Sequence, residues 1–164
     1  MKKYFQFNGT INGTTYFLRS LFSIVLSIPT LIIVFAFFGM FAIEYAEIDM
    51  QNPESFDQQA FEQKIQDNPE EFMETLKSSF TPFWIISILI SLIPVMWFGL
   101  ATYYKRVSAL FYENRLNVFF GLLIFEITAD IIVFKFDNWL NTVFLIGSIL
   151  VFLFMLIKDS GLSL

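Results

Sequence analysis

Apolar positions gather into four stretches: residues 20–43, 78–104, 116–125 continuing to 134, and 138–157. A bilayer's hydrocarbon core is about 30 Å thick, and a helix needs about 20 residues to cross it. Three of the stretches reach that length with no charge inside. The third does so only by carrying Glu126 and Asp130 into the membrane. The pattern predicts an all-α, polytopic membrane protein with four transmembrane helices.

Between the first two stretches the pattern changes. Residues 44–82 form an acidic insertion within what is otherwise a single membrane domain, 1–164. It holds Asn52-Pro-Glu-Ser-Phe56 and, sixteen residues later, Asn68-Pro-Glu-Glu-Phe72. Each reads as a helix start, with Asn as cap, Pro in the first turn and Glu against the positive end of the dipole. Phe56, Ala60, Phe61 and Ile65 then recur on one face, as do Phe72, Met73, Leu76 and Phe80. The spacing predicts two short amphipathic helices. Their acidic faces would turn outward, and their apolar faces would lie on the membrane surface or on each other. A duplicated, solvated spacer is the alternative.

Within the spans, punctuation residues set expectations. Asn12 or Thr14 can cap the first helix. Arg19 would then lie one to two turns in, within snorkelling reach of the headgroups. Ser20, Ser23, Ser27 and Thr30 line a stripe around Pro29; Ser87 and Ser91 precede Pro94 and Gly99. Each proline removes one backbone bond, and a nearby hydroxyl can occupy the freed carbonyl. Small residues at this spacing suit close helix packing; a substrate path is the other reading. Asn8-Gly-Thr and Asn12-Gly-Thr match glycosylation acceptors, but as turns they use the left-handed conformations open to Asn and Gly.

Charge adds orientation. The net charge of −5 hides an asymmetry: the insertion holds ten acidic residues and two lysines, and the remainder sums to +3. Lys2, Lys3, Arg19, Lys105, Arg106, Arg115 and Lys158 fall on one side of a four-span layout; Lys64, Lys77 and Lys135 fall on the other. Basic residues in short loops stay in the cytoplasm. Both termini are therefore expected to be cytoplasmic and the insertion external. No small-residue cleavage site follows the first apolar run, so that run is expected to remain as an anchor.

Composition excludes much chemistry. The chain has no Cys and no His, which removes disulfides, thiolates, the commonest metal ligand and the commonest general base. No phosphate loop, nucleophile elbow, metal cluster or nucleic-acid module is present. The expectation is a non-enzyme with no cofactor and no metal. Glu126 lies eleven residues from Arg115 and nine from Lys135, with Asp130 one turn further on the same face. Ionised acids at that depth are costly, so they mark proton relays or cation sites, or are neutralised structurally. Glu126 could hydrogen-bond a serine or threonine, and Asp130 could meet Lys135. Lys105, Arg106 and Arg115 form a basic cluster suited to anionic lipid or to a protein contact.

Two stretches resemble the bacterial inner-membrane family called domain of unknown function 805. Family members open with Phe-x-Gly-Arg-Ile, then Ser or Asn, Arg and an aromatic pair; here the stretch runs from Phe7-Asn8-Gly9-Thr10-Ile11-Asn12-Gly13 to Tyr16-Phe17. A second signature, Leu-Ala-x-x-x-Arg-Arg-Leu-His-Asp, is matched by Leu100-Ala101 and Lys105-Arg106-Val107-Ser108-Ala109. Thr10 and Gly13 replace arginines, and Ser108-Ala109 replace His-Asp. The resemblance implies a diverged inner-membrane member and carries no activity. The expected partners are the lipid bilayer and other membrane proteins or a second copy, with no nucleic acid. The expected role is an accessory or assembly component; the alternative is a small proton- or cation-coupled transporter or channel using Glu126 and Asp130.

Overall fold

The first apolar stretch folds as a helix that starts where expected, just after Asn12, and is broken at Ser27. In the computed structural model, which describes residues 2–48 and 57–158, the helices are α1 (Lys2–Phe5), α2 (Gly13–Leu26), α3 (Ile28–Tyr45), α4 (Gln58–Asp67), α5 (Pro69–Ser79), α6 (Pro82–Leu110), α7 (Arg115–Lys135) and α8 (Trp139–Ile157). Four segments are long and apolar enough to cross a membrane: α2 with α3, then α6, α7 and α8. The protein is all-α and polytopic. At most 11% of any span's most apolar window is buried within the protein, so the spans present most of their apolar surface outward.

Local chemistry explains the boundaries. Asn12 caps α2, its side chain accepting from Thr15 N at 2.8 Å. Gly9 sits at φ +82° in the preceding turn. The chain interrupts at Ser27, and Pro29 lies in the first turn of α3. Pro94 is instead carried inside α6. The hydroxyl expected to compensate it bonds elsewhere, since Ser91 Oγ donates to Ile88 O at 2.8 Å. Asn138 starts α8 by accepting from Leu140 N at 2.9 Å.

By contact, the described residues divide into two compact units, 2–25 with 94–158 and 26–93. Both chain connections between them pass close to a proline, Pro29 in one and Pro94 in the other.

In the first unit, Tyr16, Val107, Phe119 and Met155 form the core, flanked by Ile11, Leu100, Tyr103, Tyr104 and Val151. The helices α7 and α8 make an antiparallel hairpin in which Phe125 stacks on Phe144 at 5.9 Å and lies over Gly147. The N-terminal segment packs along α6: Phe5 meets Phe98 at 5.6 Å, Phe7 meets Trp97 at 5.2 Å, and Trp97 Nε1 donates to Phe5 O at 2.8 Å.

In the second unit, α4 and α5 fold back on α3. Phe72 packs on Phe41 and Tyr45 at 5.4 and 5.3 Å, and Phe80 lies 4.1 Å from Phe37. The two short helices predicted for the insertion are thus present, with apolar faces on the end of the first span. Asn68 precedes Pro69 as predicted, but its side chain makes no cap bond. Asp57, not a residue of the first Asn-Pro repeat, caps α4 through Gln59 N and Ala60 N; that repeat lies outside the described residues.

The close approach expected at Gly99 is absent, because a Cβ there would meet nothing within 4 Å. It occurs at Gly13, where a Cβ would stand 1.9 Å from the Leu156 carbonyl oxygen. Backbone cannot yield as a flexible side chain can. Gly13→Ala should therefore destabilise the protein by about 1–3 kcal/mol, the usual cost of overpacking. Gly99→Ala should be neutral or stabilising by up to about 1 kcal/mol, from helix propensity. Unfolding in mild detergent, followed by aromatic circular dichroism, distinguishes them.

Candidate functional site

The basic residues of α6 and α2 turn inward. Arg106 is 1% exposed and Lys105 4%. From Arg106, Nε donates to Met155 O, Nη1 to Ile11 O at 3.2 Å, and Nη2 to Lys158 O. Two of these acceptors belong to the last turn of α8 and its cap, where backbone carbonyls lack helical partners. The third precedes α2. The guanidinium's forked donors suit this three-way clamp, and its charge complements the negative end of the α8 dipole. Gly13 makes room for it, since its Cβ position lies 3.4 Å from Arg106 Nη2.

Arg19, expected to reach for headgroups, is 6% exposed. It donates to Tyr4 O and lies over the rings of Phe98 at 4.8 Å and Tyr4 at 5.6 Å. The aromatic faces take the place of water around the cation. Its Nε is buried and has no hydrogen-bond partner. Arg19 and Lys105 both line a recess of about 290 Å³ whose other walls include Asn8, Thr10, Asn12 and Thr15.

The predicted basic cluster does not form one exposed patch. Arg115 is exposed and stacks on Tyr112 at 5.2 Å, whereas Lys105 and Arg106 are buried. The physical reason is that α6 continues to Leu110, so its last turns are packed among neighbouring elements and do not end as a loop. What the fold does join are residues 7–17 and 100–109: Phe7 packs on Tyr104 at 5.7 Å, and Arg106 holds Ile11 O. Ser108, at the position where the resembling family carries His, is 3% exposed, and its hydroxyl has no hydrogen-bond partner.

Glu126 is half-buried on α7, and Asp130 is exposed. The Glu126 carboxylate lies within electrostatic reach of the Tyr16 and Tyr103 hydroxyls. Tyr103 Oη is buried without a hydrogen-bond partner. Among the described residues, no serine or threonine donates to Glu126, and Asp130 and Lys135 form no ion pair. Thr128, between them, bonds its own helix at Ile124 O, 2.7 Å away.

On α4 and α5, Asp57, Glu62, Asp67, Glu70, Glu71 and Glu74 are all exposed, whereas Phe61, Ile65, Phe72 and Leu76 are half-buried. Lys64 pins α4 in place. Its Nζ donates to Tyr45 O at 2.8 Å, lies over the Tyr45 ring at 4.6 Å and approaches Glu47 at 3.9 Å. In the sequence its signal was faint: a lone cation on an acidic, amphipathic helix.

No known family profile, curated protein or solved structure matches the chain. Among the described residues, no group of three or more acidic side chains is placed to hold a metal ion.

The clamp makes a quantitative forecast. Hydrogen bonds to charged groups contribute about 1.5–3 kcal/mol each, and Arg106→Gln removes the charge and most of the fork. Its unfolding free energy should fall by about 3 kcal/mol or more. Arg115→Gln, at an exposed and merely stacked position, should change it by less than about 1 kcal/mol. Parallel denaturation curves check both.

Proposed function

We propose that the chain is a non-catalytic accessory or assembly component of a bacterial inner membrane that binds a partner protein through its acidic helix pair. The observation carrying this reading is the α4–α5 pair, held on α3 by aromatic contacts and by Lys64, with six carboxylates turned to solvent. Such a surface favours a partner with a basic face, because charge complementarity steers encounter and fixes register. The asymmetry of Lys and Arg supports cytoplasmic termini and an external helix pair. The resemblance at residues 7–17 and 100–109 supports the bacterial inner membrane. Mild-detergent purification from native membranes is the test. The intact chain should bring down a stoichiometric partner. A variant with Glu62, Glu70, Glu71 and Glu74 changed to Gln should retain it at least about fivefold less well. Repeated recovery of the chain alone would reject the reading.

A second reading rests on Glu126. A half-buried carboxyl within electrostatic reach of two tyrosines, one with an unbonded hydroxyl, suits proton or cation transfer within a span. Asp130 is then the outer relay. On this reading, proteoliposomes holding the protein conduct above empty controls, and Glu126→Gln abolishes the flux while the protein stays folded. Equal flux in the two would assign Glu126 to packing.

A further inference from the structure

We propose that the cleft where α3 ends and α6 begins, lined by Phe37, Phe41, Glu44, Ser78, Ser79 and Trp84, binds an organic ammonium group. The inference is independent of the partner-binding reading. None of the six outward carboxylates of α4 and α5 lines the cleft, and the test uses the purified chain.

Three observations converge there. First, charge: Glu44 is the one ionisable side chain of the lining, it is exposed, and among the described residues it forms no ion pair. Second, the polar groups beside it offer lone pairs. Ser78 Oγ and Ser79 Oγ both spend their protons on Thr75 O, at 2.8 and 2.9 Å. The helical donor to Ser78 O would be residue 82, a proline without an N–H, and Thr81 N donates to Ser79 O instead, at 2.8 Å. Ser78 O is thus an open carbonyl at the end of α5, where the helix dipole favours a cation. At the start of α6, Trp84 N and Ile85 N are taken up by Thr81 O, at 3.0 and 3.2 Å. Third, the remaining wall is aromatic: Phe37 and Phe41 are buried, Trp84 is half-buried, and Trp84 meets Phe37 at 5.5 Å. Rings beside a carboxylate suit an organic ammonium, which is attracted to electron-rich faces and carries apolar carbon. A hard metal ion would need about six or more oxygen ligands, and one carboxylate among rings does not provide them.

The cleft is also ordered by depth. Phe37, Phe41 and Glu44 follow one face of α3, about 10 Å from first to last. Glu44 stands next to the end of its span, and Trp84 is near the start of the following one. Both spans end at this level, with rings toward the hydrocarbon and the carboxylate toward the interface, where lipid headgroups lie. The cleft's volume of about 290 Å³ takes a headgroup or a small free amine, not a whole lipid. Either source presents the same ammonium.

The experiment uses the full chain, stripped of lipid in non-ionic detergent, with thermal unfolding as the readout. Ethylamine and dihexanoyl phosphatidylethanolamine are the probes. Dihexanoyl phosphatidylglycerol, which has the phosphodiester without the amine, and sodium chloride at matched ionic strength are the controls. At least one of the two amines should raise the midpoint saturably where the controls do not. A response to the lipid alone assigns a headgroup; a response that includes ethylamine extends the site to free amines. Glu44→Gln, at an exposed position, should weaken the apparent affinity at least about tenfold, and Trp84→Leu about three- to fivefold. Glu71→Gln, which removes an outward carboxylate of α5, should change it less than about twofold. If Trp84→Leu does not fold, Glu44→Gln against Glu71→Gln carries the comparison. No saturable response, an equal effect of either control, unchanged affinity in Glu44→Gln, or an equal loss in Glu71→Gln would overturn the proposal.

Discussion

Backbone carbonyls at the end of a helix must find donors, and at the end of α8 they find them on one buried guanidinium. Arg106 reaches Met155 O, Lys158 O and Ile11 O at once. No other side chain type carries five fixed donors, a permanent charge and a long apolar stem. The clamp draws together the approach to α2, the last turns of α6 and the close of α8. Gly13 is its steric condition, since any larger residue would strike the Leu156 carbonyl. The core of Tyr16, Val107, Phe119 and Met155 lies against this knot, and Met155 contributes both its side chain to the core and its carbonyl to the arginine.

The second unit is held by different physics. Its contacts are ring on ring: Phe72 on Phe41 and Tyr45, and Phe80 on Phe37, with Lys64 over Tyr45. Aromatic pairs contribute about 0.5–1.5 kcal/mol each beyond area burial, and several together suffice to seat two short helices that would be marginal in isolation. The polar faces need satisfy nothing in the protein and carry their carboxylates outward. The first unit thus buries Arg19, Lys105 and Arg106, while the second displays its carboxylates.

Hydropathy made the spans legible, because a bilayer imposes length and apolarity on any helix that crosses it. The amphipathic pair was legible through Asn68-Pro69 and the spacing of Phe72, Leu76 and Phe80. What escaped were contacts between residues distant in sequence. Arg19 and Arg106 looked like interfacial anchors, because a basic residue near the end of an apolar run has the same sequence signature whether it faces lipid headgroups or another helix's carbonyls. Gly99 looked like a packing glycine from its neighbours Ser87 and Ser91, whereas Gly13 looked like part of a turn. Only the fold separates them: α8 passes Gly13 and not Gly99. Tyr103, one aromatic among many, gave no signal of its nearness to Glu126.

The clamp also has an order in time. Its parts are spread from Ile11 to Lys158, so the arginine made midway through synthesis has no acceptors at α8 until the last helix has been made and inserted. Before that, Ile11 O is the one of its three acceptors already made. The knot can close only once α8 is in place, across sequence separations of 95 and 52 residues. A chain cut short before Met155 would retain all the apolar length needed to enter a bilayer up to that point, yet leave Arg106 facing no helix end. Apolar length and the clamp are therefore separate properties of this protein: the spans up to α7 have the first without the second.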